Sequence, residues 1–221
     1  MNFITATLEL RSHHPDEITL HGITYSAADA VIPATDSRGE TRFRLLCYSG
    51  AASKNATFKD MKVGKRALIS GHICFGDDPT QPLDIQVSTI ETNIPGDMYV
   101  NQVVMGNTFF TKKEPKDKGT GKAMFCKIGT TLDNSDTTTW LFLEVPDARK
   151  KKLSEYYRSG RNFCVQGYLR EYRAGDNDEP YRALVATEFT VRKEKPKLAG
   201  ATPKASTAVG YDEIDPTPEG Y

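Results

Sequence analysis

Trp140, the only tryptophan of this 221-residue chain, stands in the segment T-W-L-F-L-E-V. In an extended strand, Leu141, Leu143 and Val145 share one face, and Trp140, Phe142 and Glu144 share the other. A face that carries Glu144 belongs toward water. A second segment, Y-L-R-E-Y-R, sets Tyr168, Arg170 and Tyr172 on one face and Leu169, Glu171 and Arg173 on the other. A third, P-Y-R-A-L-V-A-T-E-F-T-V, carries Tyr181 as its second residue. Exposed rings interleaved with guanidinium groups suit one kind of chemistry, the stacking of flat aromatic ligands and the neutralising of phosphates with little regard to base identity. The plainer alternatives are a tryptophan that fills a core and a hairpin whose tyrosine edges are solvated. The alternation favours an outward-facing strip.

Lysines add to it. Lys112, Lys113, Lys116, Lys118 and Lys122 crowd one loop that reads as a hairpin tip. Arg149, Lys150, Lys151 and Lys152 crowd the start of a short helix, where positive charge opposes the helix dipole. The loop, with Lys112, Lys113 and Lys122, is the better candidate for contact with a polyanion.

Bond-making chemistry is not legible. His13, His14, His21, His72 and Cys74 match no zinc spacing, and no metal or other cofactor is expected. Gly119-Thr-Gly-Lys122 lacks the earlier Gly and the following Ser/Thr of a phosphate-binding loop. No nucleophile elbow or paired-carboxylate pattern occurs. The expectation is a protein that is not an enzyme.

The residues that position these side chains form a repeat. F-K-D-M-K-V-G-K-R-A-L-I-S-G-H-I (58–73) parallels S-E-Y-Y-R-S-G-R-N-F-C-V-Q-G-Y-L (154–169), so Gly64 falls on Gly160 and Gly71 on Gly167. T-R-F-R-L-L-C-Y (41–48) sits where T-W-L-F-L-E-V does, and D-I-Q-V-S-T-I matches R-A-L-V-A-T-E-F. Two copies of one domain follow. Each copy reads as a helical turn ending at Gly64 or Gly160, then a strand in which Ala67 and Ile69, or Phe163 and Val165, point one way. Gly71 and Gly167 inside the strands mark a bulge or a sharp barrel bend. Many short strands with one helix per copy make an all-β chain of two tandem OB-fold barrels. The expected boundaries are 1–92 for the first domain, 93–98 for a Pro/Gly linker, 99–193 for the second domain, and 194–221 for a disordered linker with an acidic tail.

Charge follows the same division. Formal net charge is zero, yet residues 1–95 hold 9 Lys/Arg against 11 Asp/Glu, and residues 96–204 hold 20 against 14. Residues 205–221 hold none against 4. The basic excess therefore lies on the half that carries the aromatic strip. The first half has Phe43, Tyr48, Phe58 and Phe75 as its main aromatics and no tryptophan. Four cysteines without C-x-x-C spacing, and a start without a leader pattern, lead to the expectation of free thiols in a reducing cytoplasm. Cys126 and Cys164 alternate with apolar neighbours and read as small core hydrophobes. No apolar run reaches the roughly 18–20 residues of a membrane span.

Three blocks carry a resemblance: the opening Asn101-Gln-Val-Val-Met-Gly106, the Thr-Trp strand at Trp140, and the Y-x-x-G…G-x-L-R block ending at Arg170. Together they resemble the bacterial-type single-stranded DNA-binding (SSB) family, closely over 99–192 and more weakly over 1–92. The resemblance implies Trp140, Phe142, Tyr168, Arg170, Tyr172, Arg173 and Tyr181 as the nucleic-acid face. Two positions where many members carry an aromatic are Pro146 and Ala174 here. The resemblance also implies a tail that docks onto replication or repair proteins, with Asp212, Glu213, Ile214 and Asp215 as its acidic core and Tyr221 as its terminal ring. Four OB folds are usual in the family, so two per chain imply a homodimer, with a monomer built on an intramolecular OB pair as the alternative. The implied role is sequence-tolerant binding of single-stranded DNA in replication, recombination or repair, in the cytoplasm with the nucleoid. The alternative is an accessory module whose OB folds mainly bind protein.

Overall fold

The computed structural model describes residues 2–34, 39–74, 82–131, 138–157, 162–172 and 181–191. Arg173, the side chain of Tyr181 and the whole tail, with Asp212, Glu213, Ile214, Asp215 and Tyr221, lie outside the described residues, as do Phe75, Gly160 and Ala174.

The first copy runs β1 (Asn2–His13), β2 (Ile18–Leu20), β3 (Ile23–Ile32), β4 (Thr41–Tyr48), α1 (Ala52–Lys59), β5 (Arg66–Cys74) and β6 (Leu83–Glu91). The second runs β7 (Asn101–Phe110), β8 (Lys116–Asp117), β9 (Met124–Thr131), β10 (Thr138–Val145), α2 (Asp147–Tyr156), β11 (Asn162–Tyr172) and β12 (Tyr181–Val191). Element for element, the order is the same.

Each copy closes on itself. In the first, β1 pairs with β3, β3 with β4, β4 with β6 in parallel, β6 with β5, and β5 with β1. In the second, β7, β9, β10, β12 and β11 make the same ring, again with one parallel pair, β10 with β12. Closure removes the open sheet edges that invite aggregation. It demands sharp bends, and the two in-strand glycines supply them. Register slips between Ser70 and Gly71 against β6, and between Gln166 and Gly167 against β12. A Cβ on Gly71 would lie 2.2 Å from the Gln86 carbonyl oxygen, and one on Gly167 would lie 2.0 Å from that of Val185. Only glycine lets the strands approach this closely.

Alternation fills the barrels. Ile4, Ala6, Leu8 and Leu10 of β1 point inward with Ile69, Ile73 and Ile85, and Val103, Ile128, Leu143, Val165 and Leu184 do the same in the second barrel. The barrels join by β1 pairing antiparallel with β7, centred on Ile4 opposite Val103. Equivalent strands thus meet head to tail across a local two-fold relation, and the result is one 12-stranded sheet. The Val100 amide donates to the Thr7 hydroxyl, and the Thr7 amide donates to the Val100 carbonyl.

Two expectations are corrected. α1 ends at Lys59 with Asp60 as its cap, and not at Gly64. Gly64 instead sits at φ +77° in a separate turn, its amide bonded to the Leu10 carbonyl. The left-handed glycine is needed there to bring the chain back to β1. Cys164 is exposed, because Phe163 and Val165 on either side of it take the inward positions of β11. Cys126 is buried, and burial pushes its thiol up to about 12.

Candidate nucleic-acid interface

The second barrel places its aromatic strip across four adjacent strands. β9 and β10 set Lys127 opposite Phe142 and Gly129 opposite Trp140. β10 and β12 set Phe142 opposite Ala183, and β12 and β11 set Ala183 opposite Arg170. One row therefore reads Lys127, Phe142, Ala183, Arg170, three strand spacings or about 14 Å wide. Trp140 and Phe142 are 47% and 41% exposed, while Leu141, Leu143 and Val145 are buried, so the outward alternation of β10 is observed.

Each ring is held by a partner. Gly129 has no side chain, and Phe109 and Trp140 meet over it edge to face with centroids 5.8 Å apart. Lys127 Nζ lies 5.6 Å from the Trp140 ring. Arg170 lies between Tyr168 and Tyr172, its guanidinium carbon 5.3 Å and 5.7 Å from the two ring centroids. Its terminal nitrogens donate to the Tyr172 and Tyr168 hydroxyls at 3.4 Å and 3.5 Å. These bonds are long, so the planar fork can turn to meet a phosphate. The Tyr172 hydroxyl donates to the Glu144 carboxylate. Burial and that carboxylate push the Tyr172 phenol well above its ordinary value, so it stays a neutral donor. The strip is thus ordered before any ligand arrives, which lowers the entropic cost of stacking.

Sequence reasoning missed Phe109, Phe125 and Lys127. The signal was present in M-F-C-K-I-G, where Met124, Cys126 and Ile128 are buried and Phe125, Lys127 and Gly129 alternate with them. Lys118 Nζ lies 5.2 Å from the Phe125 ring, so the loop reaches the strip. Lys112, Lys113 and Lys122 are exposed on that loop. α2 fastens it. Tyr157, just beyond α2, donates to the carbonyls of Thr111 and Lys113, and Lys150 bonds Asp117 at 2.5 Å and the Gly119 carbonyl at 2.6 Å. Lys150 also pairs with Asp147, and Lys152 with Glu188, so these helix cations hold protein carboxylates.

The first barrel lacks the strip. Ile73 pairs with Ile85 and Leu45 with Ile85, as Leu169 and Leu143 pair with Leu184. By this register Arg42 stands at the position of Trp140, Arg44 at Phe142, His72 at Tyr168 and Cys74 at Arg170. Asp29 takes the place of Lys127. Arg44 makes a two-pronged bond to Asp84, both arms 2.7 Å, and that carboxylate raises its pKa. Beside it, Ile18 and Leu20 of β2 pack over Tyr25, Ala27 and Leu46. Ion pairing and an apolar cap close the face that the second barrel leaves open. Phe43 and Phe58 are buried, and Tyr48 is exposed.

Among the described residues, no three His, Cys, Asp or Glu side chains gather as a metal site requires. His13 bonds the Met61 carbonyl and His14 bonds Asp29. No described helix is long and apolar enough to cross a membrane.

No protein-family model and no curated protein matches the chain. Solved structures do. The wild-type single-stranded DNA-binding protein from Thermus aquaticus covers 90% of this chain and 97% of its own length, at TM-score 0.56 and 15% identity. A deletion variant of the same protein gives 90% and 98%, at TM-score 0.59 and 15% identity. The chain thus shares its tandem OB fold with these structures over 90% of its length.

Proposed function

We propose that this protein binds single-stranded DNA with little sequence preference and makes or breaks no bond. The carrying observation is the outward strip of exposed Trp140 and Phe142 and half-buried Tyr168, Arg170 and Tyr172, flanked by Lys127 and the lysine loop. Rings at successive positions stack bases of any identity, and the cations neutralise the backbone. The likeness in fold to a protein whose name states single-stranded DNA binding supports the reading. The proposed role is to shield strands in replication, recombination or repair, in the cytoplasm with the nucleoid. The acidic tail is the proposed recruiting element for other proteins of those processes. Two chains would bring four barrels together as a homodimer.

The test is fluorescence anisotropy of labelled oligo-dT over a salt series. Binding should weaken linearly in log–log form as counterions are released, with a slope of about −0.7 per neutralised phosphate. Equal affinity for a duplex of the same length would contradict the reading. A second reading, docking of proteins by the barrels, is favoured by one observation, the ion-paired and apolar-capped face of the first barrel.

A further inference from the structure

A groove lies where the barrels meet. Ile32, Pro33 and Thr41 of the first barrel form one wall, and Tyr99, Tyr168 and Arg170 of the second form the other. Its volume is about 260 Å³. Sites for drug-sized ligands span about 300–1,000 Å³, so this groove has room for one flat ring system and its sugar.

Its lining is aromatic, aliphatic and singly cationic. Ile32 and Leu169 are buried and give an apolar floor. Tyr99 is 47% exposed, a ring presented to solvent at the rim. Arg170, whose guanidinium lies between Tyr168 and Tyr172, is the one cationic residue of the lining. Two other polar lining groups already have partners: the Thr41 hydroxyl accepts from the Glu171 amide, and Asn101 bonds the Leu169 backbone in both directions. What the groove offers a ligand is therefore ring faces, aliphatic surface and one guanidinium.

The geometry is set in advance. Tyr99 precedes Val100, which is fixed to Thr7 of β1 by reciprocal bonds of 2.8 Å and 3.1 Å. The opposite wall is fixed by Arg42, which reaches across the junction to Glu171 at 3.0 Å. Tyr168 and Arg170 belong both to the groove and to the strip, so a strand that leaves the strip enters the groove without a gap.

We propose that the junction groove is a nucleobase subsite, in which one base stacks on Tyr99 while Arg170 holds the adjoining phosphate. The inference rests on the single-strand reading and adds to it a route across the junction that neither barrel makes alone. A strand on the second barrel thus passes toward the first through the groove, and not over the closed face at Arg44.

The test uses the full chain with fluorescein-labelled oligo-dT of about 30 nucleotides, longer than the roughly 4–16 that one barrel occupies. Tyr99→Ala should weaken binding about 5- to 100-fold, as loss of one stacked base does, and Tyr99→Phe should bind as the parent does. Oligo-dT carrying 5-iodouracil should crosslink under light to the peptide that contains Tyr99. If Trp140→Ala weakens binding and Tyr99→Ala does not, the subsite is wrong and the single-strand reading stands. If Tyr99→Phe loses as much as Tyr99→Ala, the ring is not a stacking surface and the subsite is wrong. If the parent chain binds no oligo-dT, both fall together.

Discussion

Arg42 and Trp140 hold the same register position in the two barrels, and only one of them reaches across to the other barrel. Trp140 stands on the open face of β10 with Lys127 above its ring. Arg42 instead crosses to the second barrel and meets Glu171, which is 2% exposed and also bonded to Arg182. The duplicated position differs between the copies: an exposed ring in one, a tie between barrels in the other. Of the two guanidiniums on this buried carboxylate, Arg182 belongs to the same barrel and Arg42 crosses from the other.

Removing the carboxylate should therefore cost far more than removing the outer arginine. Glu171→Ala leaves Arg182, only 5% exposed at its side chain, without this counter-charge, and should cost about 3–5 kcal/mol. Arg42 is a third exposed, so Arg42→Ala should cost no more than about 1 kcal/mol. Urea denaturation of the two variants measures both. Equal losses would contradict the assignment of Glu171 as the centre of the tie.

The in-strand glycines make a matched pair. Gly71→Ala and Gly167→Ala each press a Cβ against a backbone oxygen that cannot rotate away, at 2.2 Å and 2.0 Å. Each should lose about 3 kcal/mol. Thermal unfolding followed by circular dichroism shows whether the two losses agree, as equivalent bulges require.

The repeat, the barrel class and the outward alternation of β10 were legible because each rests on local spacing: two glycines at a constant offset, and Leu141, Leu143 and Val145 inward every second residue. Phe109 and Lys127 were not, because their place beside Trp140 depends on which strands neighbour β10, a long-range fact. The helix end was misplaced because Gly64 carries a turn signal that serves the return to β1 and not α1. Cys164 was misread by its apolar neighbours, which in a strand put it on the opposite face. The fate of Arg42 could not be read at all, since its partner lies 129 residues away.

Gly129 should be needed for the strip and nearly dispensable for the fold. The first barrel has Val31 at this position, opposite Arg42. In Gly129→Val the new Cβ would lie 2.5 Å from the Phe109 ring and 2.8 Å from the Trp140 ring, both of which can swing outward. The expected result is a stability loss near 1 kcal/mol with a shifted Trp140 emission maximum and weaker oligo-dT binding. An unchanged emission maximum would show that the rings do not rest on this glycine.

The thiols should separate by exposure. Cys164 is exposed and should react with a disulfide reagent at pH 8 in the native protein, while Cys47 and Cys126 should wait for unfolding. Burial raises Cys74 to about 11 and Cys126 to about 12 from the ordinary 9.0. The unfolded chain therefore loses these protons first as pH rises, and the contribution of both groups to stability falls from pH 9 toward pH 12. Mass spectrometry of labelled peptides against time decides the order of reaction. Early labelling of Cys126 would contradict its place in the core.

The most direct measurement is Trp140 fluorescence during titration with oligo-dT at low and at high salt. With Trp140 as the only tryptophan, its emission reports the strip alone. Quenching that saturates at low salt and weakens at high salt is the predicted result, and Trp140→Ala should lower affinity about 5- to 100-fold while leaving the thermal midpoint close to that of the parent. A titration that leaves the emission unchanged, with no mobility shift of the same oligonucleotide in a gel, would contradict single-strand binding by this face.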